Sequence, residues 1–388
     1  MFLSDRPASS PVFAVSGSAH RRLFWIDVLR GLAIFIVLFA HVRSIPGFQL
    51  EPKSLVFVLY QTGWMGVDLF FVISGYLIGG LVFREIREHG RIRPGRFFLR
   101  RALRIFPVYY FILFLIFLGP ESAGVDGRVF LPFWVYLQNY GFHFTHINFF
   151  HSWSLCVEEH FYLVFPLICL GLGRFKKIEW FPVVALAVVP VALGLRFFHA
   201  YTDDTFDFIY YTHARMEGIA LGCLIAYLSV FHPERIKHFV ERRRRLLLWG
   251  SLLLIVPAWS IPLANPFMHT IGISLVAFAF AGFVLLAGSA REPGRKAYVA
   301  LWPLARLGVF SYTLYLVHPM LFQVSYLKIF SVLPFQILVG LFSLIVSVNT
   351  AMLLAYIILG IVFAVALAYL IEKPFLWARN RWIVSGAS

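Results

Sequence analysis

The chain is 388 residues long, 60% apolar and only 14% charged, with a mean hydropathy of +0.79. Soluble domains carry about 25% charged residues, so a water-soluble globular enzyme is excluded and a polytopic membrane protein is expected. The formal charge of +15 raises the question of nucleic acid, but such binding needs a basic face on a soluble fold. Here the Lys and Arg residues fall between apolar runs, where they read as cytoplasmic loops, and no nucleic-acid partner is expected.

In chain order, residues 1–22 read as a polar cytoplasmic tail. No small-residue cleavage site follows the first apolar run, which is therefore read as a retained helix. Hydropathy then predicts ten spans, at 24–42, 64–83, 104–119, 154–173, 181–198, 211–230, 246–263, 270–290, 307–330 and 335–371. The last would be about 55 Å long at helical rise, so it is expected to tilt, protrude or break near Asn349. With the N-terminus inside, the even-numbered loops carry Arg84, Arg87, Arg91, Arg93, Arg96, Arg100 and Arg101, then Arg174, Lys176 and Lys177, then Arg235, Lys237 and Arg242 to Arg245, then Arg291, Arg295 and Lys296. All of them land on the cytoplasmic side, and the tail 376–388 returns there. The fold class expected is an all-α membrane bundle of about ten transmembrane helices, both termini cytoplasmic, with 23–375 as one catalytic unit. Cys156, Cys169 and Cys223 lie in apolar stretches without CxxC spacing, so neither a disulfide framework nor a metal site is indicated.

The first span, WIDVLRGLAIFIVLFAHV, holds Asp27, Arg30 and His41. The last two are eleven residues apart, which returns them to within about 20° of one helical stripe but separates them by roughly 16 Å along the axis. A charge in mid-bilayer costs about 2.5 to 3.5 kcal/mol, so such groups are expected to face a bundle interior or a wet cavity. Pairing of Asp27 with Arg30 at i,i+3 is the simpler alternative.

Given this topology, His41, Asp68 in GVDLFFVISGYLI, and Glu158 and Glu159 in HSWSLCVEEHFYLVFP all fall near the outer surface. A neutral imidazole held by a carboxylate is a general base suited to neutral pH. His41 is expected to take a proton from an acceptor hydroxyl, oriented by Asp68 or Glu158. At the inner face, Arg100 and Arg104 stand i,i+4 in RFFLRRALRIFPVYY, a spacing suited to gripping phosphate groups. Arg101 reads as a membrane anchor. Arg215 in ARMEGIALG, and Tyr315 and His318 in SYTLYLVHP, complete the candidates as substrate contacts, and Pro319 is expected to kink its helix. Glu372 is expected to pair with a basic loop.

At these residues the chain resembles the acyltransferase-3 family of bacterial integral-membrane O-acyltransferases. The similarity rests on Arg30 and His41 in R-x10-H spacing, GVDLFFVISGYLI, RRALRIFPVYY, SLCVEEHFYLVFP, the Arg215 segment, SYTLYLVH and the closing IEKP, in order along nearly the whole chain. His160 and Cys156 depart from it, standing where the family usually has Gln and a small polar residue. The resemblance implies transfer of an acyl group, commonly acetyl from cytoplasmic acetyl-CoA, to a hydroxyl of a surface or exported glycan, in the bacterial inner membrane. It carries over Arg30, His41, Arg100, Arg104 and Glu158 as working residues. A lipid or macrolide-type acceptor, or a transporter or flippase without covalent chemistry, are the other readings. Direct transfer and an acyl-His41 intermediate both remain open, and a burst with acetyl-CoA alone separates them.

Overall fold

The structure is a computed structural model that describes residues 17–119, 125–140, 149–202, 207–322 and 325–384. Its helices run in order α1 (Gly17–Ala40), α2 (Leu55–Thr62), α3 (Met65–His89), α4 (Pro94–Leu118), α5 (Leu131–Trp134), α6 (Trp153–Arg174), α7 (Phe181–Thr202), α8 (Glu217–Phe231), α9 (Pro233–Ser260), α10 (Ile273–Gly288), α11 (Arg295–Val309), α12 (Ser311–Val317), α13 (Ser325–Phe342), α14 (Val348–Leu367) and α15 (Lys373–Val384). Among the described residues there is no strand. An all-helical solution follows from the composition, because a backbone in lipid must satisfy its own N–H and C=O groups.

Among the described residues, six helices are long and apolar enough to cross a membrane, or up to eight when each of two bent pairs is one span. The expected boundaries shift in three places. Residues 211–230 and 246–263 fall on α8 and α9, which meet at a 114° bend and contain no intervening loop beyond His232. The expected span 307–330 is broken: α11 and α12 meet at 58°, and the chain tightens into a 3-10 turn at His318–Met320, where Pro319 has no N–H to continue the α ladder. The long run 335–371 is two helices, interrupted at 343–347, and Ser347 caps the second by accepting from the Thr350 N–H. Residues 1–16 of the expected tail, residues 203–206 and residues 385–388 lie outside the described residues, while 17–22 belong to α1.

The centre of the bundle is the seam between α3 and α8. A Cβ on Gly75 would lie 2.0 Å from the Ile219 carbonyl oxygen, and one on Gly222 would lie 2.1 Å from that of Val72. Only glycine allows backbones this close, the small-residue packing of helices in lipid. Asp68, Val72, Gly75 and Gly79 follow one another at i, i+4, i+7 and i+11, so the stripe that packs on α8 includes Asp68.

Candidate active site

On its other side α3 borders a cavity of about 930 Å³. The lining on this helix runs from Val67 to Arg87, about 30 Å at helical rise, comparable with the hydrocarbon thickness of a bilayer. One end is walled by Arg84 and Arg87 of α3, Arg101 and Arg104 of α4, and Val230 and Pro233 at the α8–α9 bend. The other end is closed by Val67, Phe70, Ser154 and Tyr315. Between them stand Asp27, Arg30, Glu158, Tyr162 and Ser311.

Each polar group in the middle has partners. Arg30 Nη1 lies 3.4 Å from Asp27 Oδ1, the i,i+3 pairing, and its Nη2 donates to Ser311 Oγ at 3.0 Å. Glu158 accepts from Ser74, which also hydrogen-bonds the Tyr162 hydroxyl. The Arg101 guanidinium stands 5.9 Å over the Tyr162 ring. The lining thus sets five guanidiniums (Arg30, Arg84, Arg87, Arg101, Arg104) against two carboxylates (Asp27, Glu158). A long cavity with an excess of positive charge at one end suits a ligand that is anionic at one end and extended beyond it.

At the far end Tyr315 links the cavity to a cluster of imidazoles. Its hydroxyl hydrogen-bonds Ser154 Oγ at 2.6 Å and donates to the His151 carbonyl at 2.5 Å. Its ring lies 5.6 Å from the His151 ring and 6.1 Å from the His318 ring. His41, just past the end of α1, sits 4.8 Å from His318 and 6.2 Å from His151, ring centre to ring centre. His41 Nδ1 is 3.2 Å from the Val37 carbonyl and 3.2 Å from His318 Nε2.

A family model described as an acyltransferase domain matches residues 23–373. The chain belongs to the acyltransferase-3 family. Over 322 residues it is 28% identical to the O-acetyltransferase OatA of Staphylococcus aureus, which covers 77% of this chain and 50% of that protein. Over 321 residues it is 26% identical to the peptidoglycan O-acetyltransferase OatA of Listeria monocytogenes, with 76% and 48% covered. The chain spans about half the length of these curated relatives. No solved structure matches it.

For an acyltransferase-3 chain the arrangement departs from the expected one in several ways. Among the described residues no carboxylate touches His41. Asp68 is buried against Arg215, whose Nη2 donates to both carboxylate oxygens at 2.9 Å, because its stripe on α3 faces α8. Glu158 lies inside the cavity on Ser74 and not on His41. Arg215 does not line the cavity. It is held by Asp68, by the Ile209 carbonyl at 3.3 Å and by the Trp153 ring, 5.3 Å from its guanidinium.

The phosphate-gripping pair also changes. Arg101 and Arg104 line the cavity, whereas Arg100 does not. On α4, Phe97 and Ile105 are buried, and Arg101 falls between them at i+4, on the inward stripe. Sequence reasoning passed over His151, Ser74, Arg84 and Arg87. Arg84 and Arg87 read as loop charges until α3 is seen to continue to His89. Glu372 accepts from Thr313 Oγ1 at 2.7 Å. Among the described residues no group of three or more His, Cys, Asp or Glu could hold a metal ion.

Proposed function

We propose that this chain is a membrane-embedded O-acyltransferase that moves an acyl group, acetyl in the first instance, from acyl-CoA to a hydroxyl of a cell-surface or exported glycan. The observation that carries the reading is a cavity running from a cluster of guanidiniums to Tyr315, whose ring stands beside His151 and His318. Family membership and the O-acetyltransferase relatives support the reaction class. The similarity to the Listeria peptidoglycan O-acetyltransferase supports a glycan, with peptidoglycan the first acceptor to test.

In this reading Arg84, Arg87, Arg101 and Arg104 hold the donor's phosphates at the cytoplasmic mouth, where charge-assisted contacts are strongest. Arg30, braced by Asp27 and Ser311, supplies positive charge along the path of the acyl arm. The polar tail and the C-terminal helix lie in the cytoplasm, residues 23–375 form the catalytic unit, and the membrane is the bacterial inner membrane. His41 acts as general base. Its imidazole takes the hydroxyl proton, the hydroxyl oxygen bonds to the acyl carbon, the carbon–sulfur bond breaks, and the proton passes from His41 to the departing sulfur.

The test is thiol release from acetyl-CoA by the purified protein in proteoliposomes, together with mass spectrometry of surface glycans from cells with and without the gene. Acetyl-CoA-dependent turnover and loss of a two-carbon ester from the glycan are expected. No thiol release with any glycan acceptor, and an unchanged ester content, overturn the reading.

A further inference from the structure

We propose that His318 is the positioning residue of this site: it fixes the tautomer of His41 and leaves His41 Nε2 as the atom that receives the acceptor's proton. The inference rests on the reading of His41 as the base and adds what holds that base in its working state.

A carbonyl oxygen only accepts hydrogen bonds, so each carbonyl against a ring nitrogen fixes where a proton sits. His318 Nδ1 lies 2.9 Å from the Leu314 carbonyl, so Nδ1 carries the His318 proton. His318 is fully buried, at 0% exposure, and among the described residues no carboxylate contacts it. An imidazolium there would be an uncompensated buried charge, so the ring is neutral and its Nε2 presents a lone pair. That lone pair lies 3.2 Å from His41 Nδ1, which must therefore hold a proton. The Val37 carbonyl, 3.2 Å from the same nitrogen, imposes the same choice from inside α1. Two acceptors share one N–H, and Nε2 of His41 is left with its lone pair and no protein partner among the described residues.

Aspartate performs this duty for the histidine of a Ser-His-Asp triad, by fixing the tautomer and stabilising the imidazolium. Here the acids are engaged elsewhere, Asp68 by Arg215 and Glu158 by Ser74. A run of dipoles replaces the anion: the Leu314 carbonyl polarises the His318 N–H, which makes Nε2 of His318 a better acceptor for His41. When Nε2 of His41 takes the hydroxyl proton, the Nδ1–H of the new imidazolium is already held by His318 and Val37. The acceptor oxygen bonds to the acyl carbon, the carbon–sulfur bond breaks, and His41 returns the proton from Nε2 to sulfur. Pro319 follows His318 directly and ends the α ladder there, so the ring stands where the helix turns.

The test is steady-state kinetics of the full chain in proteoliposomes, with acetyl-CoA as donor and a soluble peptidoglycan fragment as acceptor. His318→Leu removes the acceptor at the ε position, and His318→Gln returns an amide oxygen near it. His318→Leu is expected to lower kcat by about a hundredfold, within the span carried by a positioned base, with KM for acetyl-CoA unchanged. His318→Gln is expected to recover to within about tenfold of the parent. Should His318→Leu fail to fold, His318→Asn takes its place, since its short amide serves Leu314 but offers nothing at ε. Equal loss in the Gln and the Leu or Asn variants overturns the proposal, as does a parental kcat without the ε acceptor. His41→Ala is run alongside: if it keeps full activity, the base assignment itself falls. If it is inactive while His318→Leu is fully active, only the role of His318 falls.

Discussion

Two regions of this bundle bury charge, and they do so to opposite ends. In the seam where α8 meets α3 and α7, Arg215 is matched with Asp68 at 2.9 Å and Arg196 with Glu217 at 3.0 Å. The Arg196 guanidinium also donates to the Thr270 and Ala214 carbonyls and to Ser274. Two cations meet two anions, and backbone oxygens take up further donors. In the cavity on the far side of α3, the lining sets five guanidiniums against two carboxylates. Burial makes both arrangements costly, but the first is neutral and closed and the second is cationic and open. A charge inside an apolar span is therefore not by itself a site; the balance of charge around it, and whether it faces space, separates fold from function.

The sharpest way to break that comparison is to remove the proposed base beyond the cavity. His41→Ala is expected to lower acetyl-CoA-dependent turnover by about 10² to 10⁴, the share of a general base, with an unaltered unfolding temperature. A rate near that of the parent would detach the imidazole cluster from the chemistry. In the seam the expectation is reversed. Arg215→Met leaves Asp68 buried and alone, a loss of about 3–5 kcal/mol, read as a lower unfolding temperature or poor yield. Adding Asp68→Leu should restore much of that stability, because replacing a buried pair with apolar side chains is often neutral. If the double variant folds but no longer consumes acetyl-CoA, the seam belongs to the site after all.

How much of this was legible in the sequence depends on what each residue costs where it stands. Arg30 and His41 announce themselves because a polar group in an apolar run demands a reason; Arg30 lines the cavity, whereas His41 lies outside its lining, beside His318. Asp68 announces itself equally well, but its partner is decided by the Val72, Gly75 and Gly79 stripe on α3, which turns it toward α8. Hydropathy addresses depth along the helix and not azimuth, and the glycines that encode azimuth read in the sequence only as part of a motif. His151 gave no signal at all. It lies in the short stretch before α6, outside the expected span 154–173, and its ties to the cluster are tertiary: the Leu316 carbonyl, 3.1 Å from its Nε2, and the Tyr315 hydroxyl on its own carbonyl. The break at Pro319 was foreseen, whereas the separation of α13 from α14 was placed a few residues late because Ser347, and not Asn349, caps the second helix.

The donor end of the cavity offers a finer test of the same contrast, since three neighbouring arginines of α4 differ only in direction. Arg101→Ala with Arg104→Ala removes two lining guanidiniums, each worth about 1.5–3 kcal/mol when it donates to an anion. The apparent KM for acetyl-CoA is expected to rise by about ten- to a hundredfold, allowing for solvent at the mouth, while kcat changes little. Released coenzyme A should inhibit correspondingly less.

Arg100→Ala is the smallest expected effect and the most discriminating. Arg100 stands one residue from Arg101 but a third of a helical turn away, half-buried beside Arg96 and Glu85 and outside the cavity wall. Partly exposed charges near one another contribute about 0–1 kcal/mol at most, so neither KM nor kcat should move by more than about twofold. If bulk positive charge at this end of the bundle were enough to recruit the donor, the three arginines would be interchangeable and Arg100→Ala would match Arg101→Ala. If the direction of each guanidinium decides, the two neighbouring substitutions will differ by an order of magnitude in KM, and the difference will persist at raised ionic strength, where long-range attraction between exposed charges is screened.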